Sequence, residues 1–197
     1  MRDEGVIKFE CRWQKTPPLP KASLQDLLHF RHDLYQRGLI GVYPDGIGYG
    51  NLSCRWTDKH QFVISGSQTG HRVQAGVEHF TLVTDYDAAH NRIDCQGPLR
   101  ASSESLTHAA IYETFPEANA VIHVHSPALW QTLKGHVPAT SADIPYGTPQ
   151  MAQEIKRLSA ETNLKECRIF VMAGHEDGVV TFGKDLAEAH RILLQHL

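Results

Sequence analysis

The stretch Ala120–Ser126 reads AVIHVHS, and no other segment limits so tightly what the chain can fold into. A short apolar run that ends at Ser-Pro has the length of a buried strand rather than of a helix. On a strand, side chains two apart share a face. His123 and His125 therefore point one way, while Ile122 and Val124 point the other way into a core. Two imidazoles held side by side are either a hydrogen-bonded pair on a partly exposed strand or half of a tetrahedral site for a borderline metal such as zinc.

The rest of the composition narrows the setting for that strand. With 197 residues, 41% hydrophobic and 21% charged, the chain fits one ordinary globular domain. A formal charge of -3 gives no field to attract nucleic acid or an anionic membrane, so neither is expected as a partner. No apolar run reaches the length that spans a bilayer, and the amino-terminal stretch mixes charges with prolines where a secretory signal needs an apolar core. A cytoplasmic protein is expected. Cys11, Cys54, Cys95 and Cys167 form no C-x-x-C pair, which fits reduced thiols better than a disulfide framework or a local zinc knuckle. The 13 histidines stand out, because imidazole is the side chain that most often binds metal or moves protons near neutral pH.

Along the chain, Thr16–Pro20 is a stiff lead-in, and Ser23 offers a cap for a helix over 23–37 with Leu24, Leu27, Leu28 and Leu34 on one side. Gly38 ends it. A glycine-rich loop (YPDGIGYG) then feeds a hairpin, NLSCRW and QFVIS, around the turn-like TDKH. HFTLVTDYD and NRIDCQG read as two more strands, 103–115 as a helix stopped by Pro116, and 148–160 as another. CRIFVMAG and GVVTFG form an adjacent strand pair, and 185–194 a closing helix. Strand pairs separated by single helices predict an α/β fold: a single domain over 23–197, with a central, largely antiparallel sheet covered by helices, preceded by an extension over 1–22.

Four further segments carry side chains suited to chemistry. His175 lies at the end of an apolar strand between Gly174 and Gly178, where a turn can bring its ring to the sheet edge; taken alone it reads as a turn residue before a ligand. Ser102, Ser103 and Glu104 open a helix, where free N–H groups, hydroxyls and the helix dipole favour an anion, although the same residues also serve as simple caps. Asn51 sits between glycine and a strand start, and SGSQTG supplies small residues and hydroxyls after VIS.

Taken in order, GNLS, SGSQTG, ASSE, HVHS, IPYGTPQMAQEI and a strand ending in His before EDGVVTFG resemble the class II aldolase/adducin family from about Leu24 to the end. The resemblance implies that family's three-layer fold and a metal-dependent carbon–carbon lyase of the aldolase type, acting on a phosphorylated sugar or related hydroxy-ketone through an enediolate. An epimerase, dehydratase or decarboxylase on the same scaffold, or a non-catalytic module like the adducin head, are the alternatives. It further implies His123, His125 and His175 as ligands of one Zn2+ per subunit, with Mn2+, Co2+ or Fe2+ also accepted by such a site. Glu104 takes the part of the catalytic acid/base. Asn51, Thr69, Gly70, Ser102 and Ser103 correspond to the phosphate contacts, with Ser65, Gly66 or Ser67 as alternatives because SGSQTG is longer than the usual turn. A homotetramer with active sites between subunits is also implied. Two departures stand out: 126–147 is shortened and holds no counterpart of the family's proton-donating tyrosine, Tyr146 aligning instead with a structural position. Around the third histidine, Gly-His-Glu-Asp-Gly replaces Asn-His-Gly.

Overall fold

A computed structural model describes residues 5–57 and 60–197. Its central sheet has eight strands: β1 (Glu10–Lys15), β4 (Asn51–Arg55), β5 (Phe62–Ser65), β6 (Phe80–Asp87), β7 (Arg92–Gly97), β8 (Ala120–His125), β9 (Ile169–Val171) and β10 (Gly178–Gly183). They run in the order β1-β7-β6-β5-β4-β8-β10-β9. Every pairing is antiparallel except β1 with β7. A small second ladder joins β2 (Gly41–Val42) to β3 (Gly48–Tyr49). The expected single-domain α/β fold with a largely antiparallel, helix-covered sheet is the fold observed.

Alternation within the strands sorts the core into two layers. On one face, Phe62, Ile64, Ile93, Val121, Val180 and Phe182 pack under α2 (Ser105–Thr114) and α4 (Pro149–Glu161). On the other, Leu52, Val63, Ile122, Val124 and Val179 pack under α1 (Gln25–Gln36), α3 (Pro127–Leu133) and α6 (Leu186–Leu194). A short helix, α5 (Leu164–Cys167), leads into β9. Strand β8 lies between β4 and β10, and all six of its residues are buried. Burying Ile122 or Val124 contributes roughly 1.5–3 kcal/mol each, which holds the register that turns His123 and His125 to the α2 face. In β6 a bulge between Val83 and Asp85 changes parity, so that Val83 and Tyr86 both reach the α2 layer.

Several local expectations are corrected. Ser23 does not cap α1: residues Lys21–Leu24 form a single 3-10 turn, Ser23 N–H donates to Pro20 O, and α1 begins only at Gln25. The preceding prolines hold the chain extended and leave a tight turn as the way in. Helix α3, unforeseen, is set by Ser126, whose Oγ accepts from Leu129 N–H, and by Pro127 in the first turn. The segment 1–22 contributes β1, an edge strand against β7. There Cys11 and Cys95, 84 residues apart in sequence, bring their sulfurs to 3.8 Å as free thiols. Asp58 and Lys59 of the TDKH turn lie outside the described residues.

A buried polar network locks α2 to the sheet. Ser53 Oγ on β4 is 2.7 Å from both His108 Nδ1 and Tyr112 Oη. Burial pulls the His108 pKa down to about 3 and pushes that of Tyr112 up. The folded state therefore keeps His108 neutral where the unfolded chain, with a pKa near 6.5, takes up a proton. The resulting penalty is absent above the unfolded value and grows as pH falls from about 6.5 toward 3, by roughly 1.4 kcal/mol per pH unit. Urea unfolding in the presence of a chelator at pH 8, 6 and 5 should show His108→Gln losing about 1 kcal/mol at pH 8 and falling less steeply with acid than wild type. Equal slopes for the two proteins would contradict the assignment.

Candidate metal centre

Two elements deliver three histidines to one point. β8 carries His123 and His125 on its α2 face, and the turn between β9 and β10 carries His175. That turn closes through His175 N–H to Met172 O and Gly178 N–H to His175 O. Gly178 is needed there: a Cβ would stand 2.9 Å from His175 Cδ2 and 3.3 Å from His123 Nε2. All three rings are buried, with centroids 4.8–5.4 Å apart, and each offers a nitrogen within 4.8 Å of the others.

The surroundings suit a cation. Nε2 of His123 is buried without a hydrogen-bond partner among the described residues, an arrangement that is costly unless something else takes its lone pair. Burial, and then the neighbouring His125, His175 and His108, hold the His123 pKa well below its usual value, so the ring is neutral, the form that ligates metal. Nδ1 of His125 is 2.8 Å from Tyr43 Oη, which fixes that ring with its other nitrogen turned elsewhere. The donor set thus fits a borderline divalent ion: three buried imidazoles, one of them held by an outer hydroxyl.

Glu104 reaches the same point from the turn ahead of α2. Its Oε1 is 3.6 Å from His175 Nε2 and 4.0 Å from His123 Nδ1, and the residue is 1% exposed. Ser102 organises that turn: its Oγ accepts from Glu104 N–H, and its carbonyl accepts from Ser105 N–H and Ser105 Oγ. Of the two carboxylates that replace the usual pattern after His175, Glu176 is exposed. Asp177 is buried, in a left-handed conformation with φ 67°.

Asn51, Thr69, Gly70, Ser102 and Ser103 all line one cavity of about 370 Å3. Asn51 joins it to the histidines, since register pairs Asn51 with His123 and places Asn51 Nδ2 3.4 Å from His123 Nδ1. Its Oδ1 is buried with no partner among the described residues. Of the alternatives in the longer turn, Gly66 and Ser67 also line the cavity, whereas Ser65 spends its hydroxyl on Leu52. Gln68 at the tip adopts φ 60°, a conformation uncommon outside glycine.

Sequence reasoning passed over Tyr43, Tyr49, Gly5 and Val6. Tyr43 and Tyr49, 4.5 Å apart, stand beside His125 on the β2–β3 hairpin; two aromatics within a glycine-rich loop were the available signal. Gly5 and Val6 form one wall of the cavity. Tyr146, read as structural, is buried with its hydroxyl accepting from Val6 N–H and donating to Val6 O, its ring 4.6 Å from His175. Nothing within the sequence of the first ten residues announces that wall.

A family model described as the class II aldolase and adducin N-terminal domain matches residues 25–195. The chain belongs to that family. Methylthioribulose-1-phosphate dehydratase of Stenotrophomonas maltophilia (strain K279a) is 28% identical over 73% of this chain and 74% of its own. The protein of the same name from Xanthomonas euvesicatoria pv. vesicatoria (strain 85-10) is 26% identical over 90% and 89%. Among solved structures, an L-fuculose 1-phosphate aldolase superposes with TM-score 0.66 at 18% identity, covering 90% of this chain and 82% of that one. A sugar-phosphate aldolase from Thermotoga maritima gives 0.63 at 17%, covering 89% and 90%. These structural likenesses establish the shared fold. Among the described residues no helix is long and apolar enough to cross a membrane.

Mass spectrometry of protein purified without a histidine tag or chelator should find about one divalent ion per chain, lost in the His123→Ala/His125→Ala double variant. Tyr43→Phe should retain the ion but weaken it about tenfold in chelator competition, the usual cost of removing an outer partner of a ligand. An unchanged affinity in Tyr43→Phe would show that its hydroxyl does not orient His125.

Proposed function

We propose that this protein is a metal-dependent lyase of a phosphorylated hydroxy-ketone, with loss of water as its reaction. The observation that carries the reading is the meeting of a buried carboxylate, Glu104, with three histidines, joined through Asn51 to a cavity that Thr69, Gly70, Ser102 and Ser103 also line. The name shared by the curated relatives, which match up to 90% of the chain, favours dehydration over carbon–carbon cleavage. Aldol cleavage is the second reading, favoured by the fold shared with sugar-phosphate aldolases.

His123, His125 and His175 hold the cation, zinc being the first choice for neutral imidazoles. A divalent ion held there would supply Lewis acidity toward a carbonyl next to the carbon that loses its proton. Glu104 takes the proton from the carbon beside that carbonyl; as the carbon–oxygen bond to the β-hydroxyl breaks, the same carboxyl returns a proton, so that the group leaves as water. Ser102 and Ser103, the backbone at Thr69 and Gly70, and Asn51 hold the phosphate and fix which carbon faces Glu104. Enclosure by Tyr43, Tyr146 and the wall at Val6 limits water at the reacting carbon. The homotetramer, with sites between subunits, and a cytoplasmic location belong to the same reading.

Incubation with methylthioribulose 1-phosphate and L-fuculose 1-phosphate, with products identified by mass spectrometry, tests it. Loss of 18 mass units, about one water, supports dehydration, and two smaller fragments support the aldol reading. Glu104→Gln should keep the metal and lose about 10²- to 10⁴-fold in turnover. A glutamine variant that works as well as wild type would remove Glu104 from the mechanism.

A further inference from the structure

Helix α1 buries Leu27 and Leu34, and helical spacing puts Arg31 between them on the same stripe, at a position where an apolar side chain is expected. Arg31 is 2% exposed. Its guanidinium does not face an acid: among the described residues no carboxylate lies within ion-pair distance, and its ring neighbour is Tyr35 at 4.9 Å. Instead Nη2 donates to Thr69 O at 3.0 Å and Gly70 O at 3.2 Å, and Nη1 donates to Val73 O at 3.3 Å. A fully charged group buried against neutral carbonyls alone is expensive.

The acceptors give the arrangement a purpose. In a trans peptide the carbonyl and the following N–H point in opposite directions. With the carbonyls of Thr69 and Gly70 drawn back toward Arg31, the N–H groups of Gly70 and His71 are turned the other way. Both residues line the cavity, and neither N–H donates a backbone hydrogen bond within the described chain. Successive backbone N–H groups aimed into a concavity form an anion-binding nest.

We propose that Arg31 is a positioning residue for the anion: it shapes the 66–70 turn so that its N–H groups face the cavity, and it places behind that turn a positive charge whose counter-charge is the phosphate of the substrate. The assignment rests on the reading of the cavity as the phosphate site. It accounts for a cavity that takes a dianion without presenting an arginine or lysine on its lining, and it selects phosphorylated over neutral sugars without touching the reacting atoms.

The test is titration of the metal-loaded protein with inorganic phosphate, followed by calorimetry or by the rise in melting temperature. Arg31→Gln keeps an amide donor but removes the charge. It should weaken phosphate about tenfold or more, raising KM for the sugar phosphate far more than it lowers kcat, while metal affinity in chelator competition stays unchanged. Arg31→Lys should restore most of the affinity at neutral pH and then lose it as pH rises and the buried amine gives up its proton, whereas wild type does not show that added loss. If Arg31→Gln does not fold, the pH dependence of Arg31→Lys decides. A folded glutamine variant that binds phosphate like wild type, or a lysine variant that follows wild type at every pH, would overturn the role of Arg31 and leave the phosphate reading intact. Failure of wild-type protein to bind phosphate would instead overturn that reading and the proposal with it.

Discussion

The alternation of β8 governs the rest of the structure. Ile122 and Val124 must enter the layer beneath α1, α3 and α6, and that demand alone turns His123 and His125 toward α2. The strand has no freedom to trade faces, because a slip of one residue would bury both imidazoles in an aliphatic layer and expose two β-branched side chains to a polar site. Its neighbours are held to the same register. β4 sets Asn51 against His123, and β10 sets Gly178 against His125, the one place where a missing side chain leaves room for His175.

Around that strand the α2 face is unusually polar for an interior. Ser53 Oγ meets His108 Nδ1 and Tyr112 Oη, and Ser102 and Ser105 tie the turn that carries Glu104, while on the opposite, α1 side Arg31 is occupied with three carbonyls. Each such group is costly to bury unless its partners are in place. The consequence is a scaffold whose side chains near the histidines have few alternative positions, the rigidity that the proposed metal site and proton carrier would need.

Much of this was legible in the chain. Strand alternation gave β4 to β8, helical spacing gave α2, α4 and α6, and the resemblance of six ordered motifs supplied the family to which the model match assigns the chain. The triad became readable because two of its members lie two apart on one strand; the third needed the β9–β10 turn, which no local pattern places in space. What escaped depends on long-range packing. β1 joins the sheet through pairing with β7, some 80 residues away. Tyr43 meets His125 across 82 residues, and Arg31 meets the 66–70 turn across about 40. An arginine within a leucine stripe is visible in sequence as an irregularity, but its meaning comes from the carbonyls it faces.

One contact ties the two halves of the site together. Gly70 of the 66–70 turn and Gly48 of the β2–β3 hairpin pass so close that a Cβ on Gly70 would stand 2.8 Å from Gly48 Cα and 3.0 Å from Tyr49 N. The hairpin is the element that brings Tyr43 to His125. Backbone pressed on backbone has no side chain to flex between, so the 66–70 turn and the hairpin that supports His125 share one boundary. A side chain larger than hydrogen at position 70 would therefore push on the hairpin as well as on the turn and disturb both together.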